Sequence, residues 1–159
     1  MRIRSLIVAG TAVLMAVLAM NVAAFAQDNW LGTWKLNTAK SKYSPGPAPK
    51  SQTLKFEASQ GSIKLTTDAV DAQGNATHGE YVSKFDGKEV PWKGNPDADM
   101  ASPRRIDAST FENVWKKAGK VTITSKVLTS RDGKTMTNTQ TGKDAQGRVV
   151  NNTIVYDKQ

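Results

Sequence analysis

The chain has 159 residues, with 22 Lys and Arg against 14 Asp and Glu, a formal net charge of +8, and no cysteine. That length fits one ordinary domain and excludes a multidomain enzyme. The missing cysteines exclude disulfides, thiolate metal sites and a cysteine nucleophile, and a single histidine excludes an imidazole metal cluster.

The first 26 residues differ in composition from everything after them. Arg2 and Arg4 precede an uncharged, apolar run from Leu6 to Met20, and the run closes on Ala24-Phe25-Ala26. A basic start, an apolar centre and small residues before Gln27 are the parts of an export signal cleaved by signal peptidase. The reading is a signal peptide at 1–26 and a mature domain at 27–159, periplasmic or secreted. An uncleaved anchor is the competing reading, since 6–26 is just long enough to span a bilayer. Cleavage takes two arginines away and leaves the mature domain basic.

The mature sequence has almost no helical period. Residues 30–36, with Trp30, Trp34 and Leu36, predict a first strand. Residues 37–50 contain Ser44-Pro45-Gly46-Pro47-Ala48-Pro49, which supplies few amide donors and predicts a crossing loop or lid. Turn chemistry then recurs at Gly61, Gly74 and Gly87, and at Gly119, Gly133 and Gly147, at intervals of 13 or 14 residues. Such spacing predicts hairpins between strands of eight to ten residues. Within them, Leu54, Phe56 and Ala58 share a face, as do Ile63, Leu65, Thr67 and Ala69, then Tyr81, Ser83 and Phe85, then Val121, Ile123, Ser125 and Val127. Alternation of this kind marks strands with one face on a core. Further strands are predicted at 88–92, 104–107, 110–117, 134–141 and 149–156, with a second long loop at 93–103.

Nine or ten antiparallel strands cannot stay flat with two open edges. The short connections predict an all-β, up-and-down β-barrel of about 8–10 strands, because a two-sheet sandwich needs longer crossovers.

The Gly32-Thr33-Trp34 triplet resembles the Gly-x-Trp signature on the first strand of lipocalins, and Gly-Thr-Trp-Lys-Leu is similar to the opening of intracellular fatty-acid-binding proteins. The resemblance implies a calycin barrel, and is nearest to exported, bacterial-type lipocalin-like domains. The Arg-x-Tyr pair by which the last strand of fatty-acid-binding proteins grips a carboxylate corresponds here to Ile154 and Tyr156, so its charged half is missing.

Little in the chain speaks for catalysis. His78 falls on a solvent-facing alternation and lacks a nucleophile motif. Asp97 and Asp99 follow Asn95-Pro96 as turn residues do. Glu80 also alternates outward. The expectation is a non-enzyme without cofactor or metal. Trp34, Tyr81, Phe85, Trp115 and Tyr156 fall on inward positions and are the candidate ligand-binding residues, with Trp34 plugging one end.

The late strands are unusually polar: Thr135, Thr137, Thr139 and Thr141 form one face, and Met136, Asn138 and Gln140 the other. Whichever faces inward needs hydrogen-bond partners, which a wet or ligand-filled interior supplies more easily than a dry core. The alternative is that this strand is a poorly buried edge. The basic residues are scattered without a stripe, which argues against nucleic acid and allows weak attraction to anionic envelope surfaces. The expected protein is a monomeric carrier of a small molecule. The alternatives are an envelope interaction protein using the barrel as a scaffold, and a small hydrolase or isomerase with an inward carboxylate.

Overall fold

The computed structural model describes residues 28–159, so the expected signal segment lies outside the described residues. Ten strands follow in order: β1 (Gly32–Leu36), β2 (Ser51–Ser59), β3 (Ser62–Val70), β4 (Ala76–Ser83), β5 (Val90–Pro91), β6 (Met100–Arg105), β7 (Thr110–Lys117), β8 (Lys120–Thr129), β9 (Thr135–Lys143) and β10 (Val149–Lys158). A single 3-10 turn, Thr38–Lys40, is the one helical element among the described residues.

All pairings are antiparallel, and the sheet order is β4-β3-β2-β1-β10-β9-β8-β7-β6-β5. Chain neighbours are therefore sheet neighbours, and the two chain ends close on each other, with Trp34 opposite Lys158 and Leu36 opposite Tyr156. The expected up-and-down barrel is what forms.

The remaining edges, β4 and β5, meet at a narrow seam. The amides of Glu80 and Lys93 each donate to the other's carbonyl at 3.0 Å, and the amide of Arg105 donates to Phe85 at 2.9 Å. Backbones approach so closely there that a Cβ on Gly94, whose φ is +75°, would lie 1.9 Å from the carbonyl oxygen of His78. Only glycine fits this position. The barrel is nearly closed, which leaves little unpaired edge for other chains to join.

The register departs from simple alternation in places. Between Val114 and Lys116 a β-bulge shifts the β7–β8 pairing. As a result Val121, expected inside, is exposed, and Thr122 is buried beside Ile123. A bulge adds one residue to one strand and so reverses the facing beyond it. Ala58, also expected inside, is exposed where β2 runs out into its hairpin. The strand expected at 104–107 begins earlier, at Met100, and includes Pro103. Its outer side is paired by β5 over only two residues, so proline's missing N–H is tolerated there. On β9 the amide face turns inward: Met136, Asn138 and Gln140 are buried. That strand lies between β8 and β10 and is not an edge.

One end of the barrel is solid. Trp30 stacks on Phe85 with ring centroids 4.8 Å apart and meets Phe56 and Phe111 edge-on. Trp34, fully buried, donates its indole N–H to the Trp30 carbonyl at 2.8 Å. The ammonium of Lys158 lies 5.0 Å from the Trp34 ring centroid and covers it.

Candidate functional site

Above this aromatic floor the barrel holds a cavity of about 500 Å³. That is within the usual range for small-molecule sites. Its mouth is roofed by the proline segment. The amide of Lys42 donates to Thr153 at 2.7 Å, that of Thr153 to Lys42 at 2.9 Å, and that of Asn151 to Ser44 at 2.7 Å, which ties this segment to the first half of β10. The amide of Ser44 donates to Asn152 Oδ1 at 2.9 Å. From that anchor Tyr43, Pro45, Pro47 and Pro49 reach the cavity. Asn95, Pro96 and Asp97 of the second long loop complete the rim.

The five candidates from the sequence separate into two groups. Tyr81, Trp115 and Tyr156 line the cavity. Trp34 and Phe85 do not: both are buried in the floor. Phe85 turns out of β4 with a φ of +54°, which brings its ring under Trp30. Trp34 plugs the closed end, as its place beside Gly32 implies.

The walls are of two kinds. One side is apolar and aromatic, with Leu54, Phe56 and Leu65 below and Tyr81 and Trp92 above, where Trp115, reaching over from β7, completes an aromatic corner. The Trp92 ring meets Tyr81 at 5.1 Å and Trp115 at 4.8 Å, both edge-on. The other side carries a polar row running across four neighbouring strands. Asn113 on β7 is opposite Ser125 on β8, Ser125 is opposite Gln140 on β9, and Gln140 is opposite Asn152 on β10. All four line the cavity. The amide of Asn152 donates to Gln140 Oε1 at 3.1 Å, and Ser102 N–H donates to Asn113 Oδ1 at 3.0 Å. The Tyr156 hydroxyl donates to Gln52 Oε1 at 2.7 Å.

One layer down the row is Phe111, Val127, Asn138 and Ile154, so Asn138 is the polar member of an otherwise apolar layer. Its Oδ1 is buried without a partner, as are the Tyr43 and Tyr81 hydroxyls and the Trp92 and Trp115 indole N–H groups. Five of the eight unpartnered buried side-chain atoms among the described residues thus belong to lining residues of this cavity, and the other three, on Asp28, Trp30 and Thr129, lie outside it.

The ionised groups of the lining stand at the rim, and each carboxylate there accepts from at least one backbone amide. Asp71 Oδ1 accepts from the amides of Gly74 and Asn75, and Asp97 Oδ1 from that of Ala145. Asp144 accepts from the amides of Gln146 and Arg148 and from Arg148 Nε. Desolvation works against the Asp144 charge, but these donors outweigh it and hold the carboxyl below its ordinary value. All three tyrosines of the chain line the cavity. Burial pushes Tyr43 up to about 12, raises Tyr81 further still, and holds Tyr156 well above the ordinary phenol value. They are neutral hydrogen-bonding groups at physiological pH.

His78 lies on the outer surface, with Nδ1 at 2.6 Å from Asp68 Oδ1. Among the described residues, no group of three His, Asp or Glu side chains is arranged to hold a metal ion. Sequence reasoning missed Tyr43, Gln52, Trp92, Asn113 and Asn152 as lining residues. A signal for two of them was present: alternation carried on from Phe111 puts Asn113 inside, and carried back from Ile154 it puts Asn152 inside.

No family model matches the chain, and no curated protein matches it either. Solved structures do match. A redesigned β-barrel aligns with a TM-score of 0.51 at 11% identity, covering 85% of this chain and 96% of that one. The zebrafish ileal bile acid-binding protein complexed with cholic acid aligns with a TM-score of 0.49 at 13% identity, covering 82% of this chain and 99% of that one. The likeness to the redesigned barrel concerns fold alone. It agrees with the strand order: this chain is an antiparallel, nearly closed up-and-down β-barrel.

Proposed function

We propose that this protein is an exported, non-enzymatic carrier that binds a small molecule non-covalently inside its barrel, in the periplasm or outside the cell. The carrying observation is the cavity of about 500 Å³, sealed below by Trp30 and Trp34 and lined by residues of which five hold a buried polar atom without a protein partner. A barrel that served only as a scaffold gains nothing from leaving such groups unpaired, since filling the space with apolar side chains stabilises a core. Export is supported by the composition of residues 1–26. The lipocalin-like character rests on the Gly32-Thr33-Trp34 opening of β1 and the pairing of β1 with β10.

Nile red, an uncharged dye that brightens and shifts to the blue in apolar surroundings, tests the reading. Wild-type protein is expected to bind it with one site. Ser125→Phe, which projects a ring into the cavity from β8, is expected to abolish binding while leaving the β-sheet circular dichroism unchanged. Binding that survives Ser125→Phe, or no binding by the wild type, overturns the carrier function.

A further inference from the structure

Resting on that carrier reading, the chemistry of the two walls narrows the ligand. A ligand with a carboxylate or phosphate needs an unspent cation or a converging set of donors near it. The one cation that lines the cavity, Arg148, stands at the rim with its Nε held by Asp144 at 2.6 Å. A cationic ligand needs a carboxylate beside it inside the cavity, and the carboxylates of the lining, Asp71, Asp97 and Asp144, all stand on the connections that form the rim, away from the Asn113–Asn152 row. Below the rim the lining contains amides, hydroxyls, indoles and apolar side chains, and no ionised group.

A purely hydrocarbon ligand fits no better. The row Asn113, Ser125, Gln140 and Asn152 spans four strands at one height, and pressing an alkyl chain against it strips water from amides that gain nothing in return. Across the barrel the preference is the opposite, because Leu54 on β2, Leu65 on β3 and Tyr81 on β4, with Trp92 beside it, offer flat apolar area, and Trp115 on β7 joins that corner next to Asn113. We infer that the ligand is an uncharged ring compound with two unlike faces, one apolar and laid on the aromatic corner, the other bearing hydroxyl, carbonyl or amide groups read by Asn113, Ser125, Gln140 and Asn152. Tyr81, in the aromatic corner, and Asn138, one layer below the polar row, also belong to the lining, and each carries an oxygen without a protein partner.

Displacement of Nile red by three rigid probes tests this. Hydrocortisone is neutral with polar groups on its rings, hydrocortisone hemisuccinate adds a carboxylate to the same frame, and progesterone lacks the hydroxyls. The wild type is expected to bind hydrocortisone about tenfold more tightly than either of the others. Gln140→Leu is expected to erase the preference over progesterone, and Asn113→Leu to do the same from the opposite end of the row, so that one misfolded variant does not decide the matter. Equal or tighter binding of the hemisuccinate, an unchanged preference in both variants, or no displacement by any probe overturns the inference. Any of these results, with Nile red still bound in the wild type and lost in Ser125→Phe, leaves the carrier function standing. Failure of Nile red to enter removes both.

Discussion

Asn138→Leu separates stability from function most cleanly. The residue is buried in a layer whose other members are Phe111, Val127 and Ile154, and its Oδ1 has no partner. A buried acceptor left unpaired costs about 1–3 kcal/mol, and replacing it with an apolar group of similar shape recovers that penalty. Leu is slightly bulkier, but Asn138 borders the cavity, so the extra volume displaces no side chain. The expected gain is about 1–2 kcal/mol. For a domain of this size that raises the melting temperature by roughly 4–8 °C. Urea denaturation followed by tryptophan fluorescence reads the free energy, and hydrocortisone displacement on the same samples reads function; affinity should fall as stability rises. Met136→Ala provides the contrast on the same strand: Met136 is fully buried, and its truncation should cost about 2–5 kcal/mol. If Asn138→Leu destabilises the protein by 1 kcal/mol or more, the amide is satisfied in the native state, and the argument from unpaired wall groups fails.

Three further outcomes follow from other parts of the fold. Absorbance at 295 nm during alkaline titration should show no phenolate near pH 10, with Tyr43 ionising at about 12; an ordinary transition near 10 would mean that these rings are solvated. Acid should destabilise the fold. Asp71 is held below its ordinary value by Asn75, Glu80 by Lys64, Asp107 by the Ser109 amide and Asp132 by Ser130, so their contribution is present above the unfolded pKa and is lost as pH falls through the carboxylate range. Asp28 acts in the opposite sense, because burial raises it against the pull of Arg105, and the melting temperature should still drop between about pH 5 and 3; a flat profile would contradict this. Trp34→Ala, which opens the floor, should cost about 3–5 kcal/mol in chemical denaturation, and a loss under 1 kcal/mol would show that the plug is dispensable.

Much of the architecture was legible in the residues themselves. Gly61, Gly74, Gly119, Gly133 and Gly147 adopt positive φ at the reversals their spacing predicts, and the closure that a barrel of these strands requires is observed in the pairing of β1 with β10. Facing was legible only as far as alternation held. The bulge at Val114–Lys116 misplaces Val121, and no residue type there announces it, because a bulge is set by how two strands fit together. Phe85 shows the same limit. Alternation put it in the cavity wall, whereas a left-handed turn, costly for a phenylalanine, carries it to the floor, where stacking on Trp30 compensates. The polar face of β9 was visible as a choice between threonines and amides. Tertiary pairing decided it, since Met136 lies opposite Tyr156 and both point into the barrel.

The chain has four indole N–H groups, and the barrel divides them evenly. Trp30 and Trp34 are sealed in the floor, with Trp34 bonded to the Trp30 carbonyl, while Trp92 and Trp115 line the cavity. A proton–nitrogen correlation spectrum of labelled protein, recorded as hydrocortisone is added, reads all four at once. Occupation of the cavity should move the Trp92 and Trp115 resonances and leave those of Trp30 and Trp34 in place; binding that leaves Trp92 and Trp115 unmoved would contradict a ligand inside the barrel.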